Sequence, residues 1–168
     1  DSQVMLVLNS RTNPAAIRSE IEKQLALLPR KSLAEKSLAN SRLVVIDEET
    51  TAIDFVNEYA PEHLIINTRD ADDLAEKITN AGSVFIGSYT PEAAGDYASG
   101  TNHTLPTNGY AKAYAGVSLE SFLKYITFQK ISEEGLKNVG PVVEKMAEAE
   151  SLDAHKNAIS IRLQRLPS

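Results

Sequence analysis

His63-Leu64-Ile65-Ile66-Asn67-Thr68-Arg69-Asp70-Ala71-Asp72-Asp73-Leu74-Ala75-Glu76-Lys77-Ile78-Thr79-Asn80-Ala81-Gly82-Ser83-Val84-Phe85-Ile86 is the stretch that decides the fold. Short apolar runs stand at its two ends, and Ala71, Leu74 and Ile78 recur at helical spacing between them. This predicts a strand over His63–Asn67, a helix over Asp70–Asn80 with Gly82 past its end, and a strand over Ser83–Ile86.

The same alternation extends upstream. Val4–Leu8 reads as a strand. Asn13-Pro14 opens a helix to about Leu28, with Ile17, Ile21, Leu25 and Leu28 as its apolar stripe and Pro29 as its stop. A second helix over Lys31–Ala39 is expected to pack through Leu33 and Leu38, and Arg42–Ile46 is a strand. Asp47–Thr51 holds cap candidates for a helix through Ile53, Val56 and Tyr59, which Pro61 ends. Four strands alternating with helices predict an α/β domain with a largely parallel sheet. Ligands of such sheets bind beyond the C-terminal strand ends.

After a short helical turn over Pro91–Ala94 comes Gly95-Asp96-Tyr97-Ala98-Ser99-Gly100-Thr101-Asn102-His103-Thr104-Leu105-Pro106, without helical or strand period. It reads either as a site built on a loop or as a structural loop whose polar side chains cap nearby helix ends. Following strand four, it falls on the edge where sites are built. Glu62-His63 enters strand three instead, and reaches the same place only if the preceding loop folds over it.

Beyond Gly116 the texture changes, and the domain boundary is placed near Val117. Residues 1–117 form the α/β domain and 118–168 a helical tail. In the tail, Ser118–Lys124 is expected to be a helix and Ile126–Ile131 a short strand. Ser132–Glu150 is expected to be a helix bent at Gly140-Pro141 with Leu136, Val139, Val143 and Met146 inward. A final helix starts near Leu152, capped by Asp153. So thin a helical tail buries little alone, and a natural use is to lie on another chain or domain.

Composition bounds the function. The 168 residues carry a net charge of −6, with 42% hydrophobic and 24% charged residues. An acidic balance argues against nucleic acid and against anionic lipid. No apolar run approaches membrane-spanning length. The absence of cysteine excludes disulfides and thiolate zinc sites, and makes a reducing, cytoplasmic setting the expectation. An apolar strand at the first residues, with no leader before it, reads as a chain cut from something longer.

Only three histidines are present, and each stands near acids or amides. Glu62-His63 can serve as an acid–base pair, though residue type alone favours a surface Glu beside a strand-leading His. Asp96 and His103 lie in the central stretch; carboxylate and imidazole suit zinc or another divalent ion, and a turn cap and a backbone-bonded loop histidine are the plainer alternatives. Glu150 and His155 bracket a helix junction, where an exposed first-turn histidine is the reading that spacing favours. Thr101-Asn102 stands where a phosphate loop needs Lys and Ser or Thr, so a nucleotide P-loop is rejected, and no G-x-G-x-x-G occurs.

Longer motifs say more. Tyr59-Ala-Pro-Glu-His-Leu64, Ala81-Gly-Ser-Val-Phe-Ile-Gly87, the run from Pro91 through Asp96 and His103 to Thr107, and Glu150-Ser-Leu-Asp-Ala-His-Lys-Asn-Ala158 resemble histidinol dehydrogenase in order and spacing. The resemblance implies an incomplete Rossmann-like domain followed by a small helical domain. It implies zinc-dependent oxidation of L-histidinol to L-histidine with two NAD⁺ through an aldehyde, in a homodimer. By position it implies Glu62 and His63 as the acid–base pair, with His63 also touching substrate. Asp96 and His155 become zinc ligands that also contact substrate, and Glu150 and His103 further substrate contacts. His155 and Glu150 would complete the partner subunit's site. The family's chain is longer, and its N-terminal half, with further zinc ligands and most NAD contacts, is not matched here. The chain is therefore expected to be a C-terminal portion, inactive alone; a metal- or ligand-binding or dimerisation module on the same scaffold is the alternative. A third reading is a related dehydrogenase acting on another amino alcohol or hydroxy acid.

Overall fold

A computed structural model describes residues 2–167. The chain divides into two compact units, Asp1–Leu123 and Lys124–Ser168.

In the first unit, β1 (Met5–Leu8) leads through α1 (Pro14–Leu27) and α2 (Lys31–Asn40) to β2 (Arg42–Val45). Asn13 caps α1 as its residue type requires, its side-chain oxygen accepting from the Ala15 and Ala16 N–H groups, with Pro14 at the first helical position. After α3 (Glu49–Tyr59), Ala60 takes a left-handed conformation at φ 50° and Pro61 prevents continuation. Then follow β3 (His63–Ile66), α4 (Ala71–Ala75), β4 (Ser83–Ile86) and α5 (Glu92–Tyr97).

All strand pairing is parallel, as expected, but it is divided. β1 pairs with β2, β3 pairs with β4, and no ladder joins the two pairs among the described residues. Both pairs keep apolar side chains exposed, Leu43 and Val45 on one and Ile65 and Ile86 on the other. The core lies on the second pair: Ile66, Ala71 and Phe85 are buried there, beside the fully buried Ala60.

Several expectations need correction. The helix after β3 stops at Ala75 rather than Asn80. Asn57 is the cause: its Oδ1 accepts from the Thr79 and Asn80 N–H groups and its Nδ2 donates to the Lys77 carbonyl. A side chain that satisfies those backbone groups removes the incentive to continue the helix. In α2, Leu33 and Leu38 are exposed and Ala34 and Ser37 are half-buried instead. Ser118 opens a short 3₁₀ turn, Leu119–Phe122, not an α-helix. Ile126–Ile131 has no strand partner, and Ile126 and Phe128 stand exposed. Most consequential, the helical turn expected to end at Ala94 continues to Tyr97 and takes Gly95 and Asp96 with it.

The second unit is a helical hairpin of α6 (Glu133–Ala149) and α7 (Asp153–Gln164). α6 passes through Pro141 without interruption. It turns Gly140 and Ala147 inward, while Val139, Val143 and Met146, expected inside, are exposed within this unit. Gly140 is where the helices touch: a Cβ there would come within 2.9 Å of the Leu163 side chain. The Ser160 hydroxyl donates to the Glu144 carboxylate, and Lys156 pairs with Glu148 at 3.0 Å. The junction is a Schellman turn, with Ser151 at φ 59°, its N–H bonded to the Glu148 carbonyl and the Leu152 N–H to the Ala147 carbonyl. Asp153 therefore lies inside the first turn of α7 and makes no side-chain cap.

Candidate active site

His63 is the first residue of β3, and its register partner is Ser83; two residues on, Ile65 is opposite Phe85. Side chains two apart on a strand share a face, so His63 and Phe85 lie on the same side of the pair. Their ring centroids are 5.9 Å apart. α5 lies over that face. Gly95 sits so close to Phe85 that a Cβ would fall 2.5 Å from the ring. The absent side chain lets the helix backbone rest on the aromatic.

That contact brings Glu92 and Asp96, one helical turn apart, over the imidazole. His63 Nε2 is 3.8 Å from Glu92 Oε1 and 3.7 Å from Asp96 Oδ1, and His63 Nδ1 is 4.0 Å from Glu62 Oε1. Glu62-His63 thus meets the post-β4 segment where α5 packs over the Phe85 side of the strand pair. The cluster sits on the face and not at the C-terminal strand edge.

Nε2 of His63 is buried and has no hydrogen-bond partner. A buried nitrogen without a partner carries a desolvation cost that a ligand can relieve. The Glu92 carboxyl is held above the ordinary carboxylate range, first by a hydrogen bond shared with the Asp96 carboxyl, then by burial and by the Asp96 charge; the His63 imidazole pulls the other way. Ligand atoms of His63, Glu92 and Asp96 lie within 4.8 Å of one another, close enough for three donors to face one cation. All are nitrogen or carboxylate oxygen, the donor set expected of a divalent metal site without cysteine.

The other residues singled out from the sequence lie elsewhere. His103 is exposed, in a groove with Gly100–Asn102, Val117–Leu119 and Phe122. Around it the loop is tied structurally: Thr101 Oγ1 donates to the Gly95 carbonyl at 3.2 Å, and the Asn102 amide donates to the Val117 carbonyl. Glu150 and His155 are exposed in the second unit, on either side of the Schellman turn. Sequence reasoning missed Glu92. Its signal was the i, i+4 spacing to Asp96, hidden by ending the helix at Ala94.

An imidazole edged by three carboxylates on an α/β scaffold defines a protein equipped to move protons or hold a cation. Comparison gives the family. The sequence model described as histidinol dehydrogenase matches residues 1–163. The chain is 57% identical over 166 residues to the histidinol dehydrogenase of Bacteroides thetaiotaomicron, covering 99% of this chain and 39% of that protein. It is 56% identical to the chloroplastic histidinol dehydrogenase of Oryza sativa, covering 98% of this chain and 35% of that one. A crystal structure of histidinol dehydrogenase from Elizabethkingia anophelis superposes with a TM-score of 0.87 at 46% identity, over 99% of this chain and 45% of that one. The chain belongs to the histidinol dehydrogenase family. It spans about two-fifths of the length of the curated relatives it matches.

Proposed function

We propose that this chain forms the C-terminal part of an enzyme that oxidises L-histidinol to L-histidine with two NAD⁺, through an aldehyde, in histidine biosynthesis. The observation that supports this most is the convergence of Glu62, His63 and Asp96 on one face, with the partnerless Nε2 among them.

In this reading His63 takes the alcohol proton as hydride leaves the carbinol carbon for the nicotinamide. Nε2 is the atom placed to do so, because it faces Asp96. Glu62 activates the water that adds to the aldehyde in the second oxidation. Asp96 and His155 hold zinc and touch substrate, as nitrogen and oxygen donors suited to that ion. Zinc, when bound, supplies a template for the substrate's imidazole and amine. Glu150 binds the substrate, and His103 lines its pocket. His155 and Glu150 serve the site of a partner subunit in a homodimer. The cytoplasm is the proposed location; no described helix is long and apolar enough to cross a membrane.

The test is made in the full-length protein. NADH should form from L-histidinol and NAD⁺, and His63→Ala should lower kcat by roughly 10²- to 10⁴-fold, the usual worth of a placed general base. No NADH from the unmodified protein would overturn the reading. The purified 168-residue chain alone is expected to produce none. The close His63, Glu92 and Asp96 donors also favour a second reading, a cation-binding module. Tight zinc binding by the isolated chain in calorimetry would support it.

A further inference from the structure

We propose that Asn108 is a modification site: it deamidates spontaneously onto the Gly109 nitrogen, and the isoaspartate that forms unseats its turn from the end of α3 and slows the enzyme. The modification stands apart from the dehydrogenase reading; its effect on turnover rests on that reading.

Asn108-Gly109 is the one Asn-Gly pair in the chain. Asparagine is among the chemically labile residues, and a following glycine has no side chain to shield its backbone nitrogen. Asn108 is exposed. Among the described residues neither its side chain nor the Gly109 N–H is hydrogen-bonded. Other asparagines that precede small or polar residues are tied down. Asn9 Oδ1 accepts from the Arg11 N–H, the Asn80 amide donates to the Asn57 carbonyl, and Asn102 is bonded through both ends of its amide.

The step balances without an oxidant or an enzyme. The Gly109 nitrogen bonds to Asn108 Cγ, the Cγ–Nδ2 bond breaks, and ammonia leaves with the Gly109 proton. Water then opens the cyclic imide. Opening at the backbone carbonyl gives isoaspartate, whose main chain runs through Cβ and Cγ; opening at Cγ gives ordinary aspartate. The fold controls the timing. Asn108 and Gly109 are both left-handed, at φ 54° and 76°, as in a two-residue I′ turn. In such a turn the glycine nitrogen lies anti to the asparagine side chain, so reaction waits for the turn to open. One backbone bond closes it, from the Tyr110 N–H to the Thr107 carbonyl at 3.0 Å. Exposed segments with few bonds open most readily, and their conversion follows the open population.

The consequence comes from what the turn rests on. A Cβ on Gly109 would stand 3.7 Å from the Tyr59 carbonyl, at the end of α3. The 3₁₀ turn that follows, Tyr110–Lys112, is fastened to the same helix by Lys112 and Glu58 at 2.6 Å. From there Ala60 and Pro61 lead directly into Glu62-His63. Isoaspartate adds a methylene to the main chain and a negative charge where only a two-residue turn fits.

The experiment incubates the full-length protein at physiological temperature, at neutral and at alkaline pH, beside Asn108→Gly and Asn108→Asp. Peptide masses, isoaspartate methylation, kcat and the urea midpoint are followed. The Asn108 peptide should convert before any other asparagine peptide, faster at alkaline pH because the Gly109 nitrogen must lose its proton, with isoaspartate as the major product. At full conversion kcat should fall about tenfold, since ~1 Å of misplacement can cost ~10²-fold. Asn108→Gly keeps a left-handed turn but has no amide, and should hold its activity through the same incubation. Asn108→Asp adds the charge without the methylene, and should keep kcat.

An Asn108 peptide that retains its mass while other asparagines convert overturns the inference. So does isoaspartate at 108 with kcat unchanged, or an Asn108→Asp variant as slow as the converted protein. If the unmodified protein forms no NADH, the dehydrogenase reading fails on its own. The peptide mass and a lower urea midpoint of the converted protein then decide the inference, and an unmoved midpoint overturns it.

Discussion

The two parallel strand pairs of the first unit are built from the same kind of sequence and differ sharply in what they enclose. β1 and β2 are apolar at nearly every position, yet β2 is largely exposed and the two crossover helices bury no residue. β3 and β4 are no more apolar, but they hold Ile66 and Phe85, and α4 adds Ala71. The difference is what lies across them. Asn57 ties the end of α3 to the chain that follows α4, and α5 folds back with a glycine against Phe85. Apolar patterning makes strands; a close covering element makes a core. The pair with the cover is also the pair with the candidate site.

The sharpest way to break this contrast is Phe85→Ala. Phe85 is 4% exposed and supports both His63 and α5, so the loss should be about 3–5 kcal/mol, read as a lower urea midpoint. Gly95→Ala tests the cover from its other side. A methyl 2.5 Å from the Phe85 ring must lift α5, at about 1–3 kcal/mol, and should lower activity further by moving Glu92 and Asp96 off His63. Leu43→Ala is the matched change in the open pair. Leu43 is already 41% exposed, so about 1 kcal/mol or less is expected. A cost equal to that of Phe85→Ala would erase the distinction.

The smallest effect sharpens the boundary between the regions, at the start of α3. Hydroxyls of Thr50 and Thr51, and then the Thr51 N–H, hold the Glu48 carboxyl at about 2, below its ordinary 4.5. A depressed carboxylate contributes stability above its unfolded value and loses it as pH falls through the folded one. Stability should thus be steady above about pH 4.5 and decline towards pH 2. In Glu48→Gln that part of the acid limb should flatten.

Much of this was legible in the residues. The four strands stand where alternation put them, and Asn13-Pro14 and Pro61 bound their helices for the reasons their chemistry gives. What could not be read involves partners distant in sequence. Asn57 shortens α4 through bonds to residues 22 and 23 positions away, which no local pattern reveals. The division of the sheet depends on pairing, not on strand propensity. Val139, Val143 and Met146 follow a helical stripe, but the hairpin selects Gly140 and Ala147 for its seam because small residues let two helices approach. At the site, Glu62-His63 and Asp96 were visible as chemistry. Their meeting depends on α5 reaching Tyr97 and turning back over Phe85, a matter of one glycine's missing side chain.

The Ser151 turn carries a consequence of its own for the far end of the chain. It works as an angular stop for α7. A residue inserted there would break the pair of bonds, Ser151 N–H to the Glu148 carbonyl and Leu152 N–H to the Ala147 carbonyl, that sets where α7 begins. His155, the third residue of that helix, would lose its fixed place relative to the turn. The length of this short joint is therefore under tighter constraint than its exposure implies.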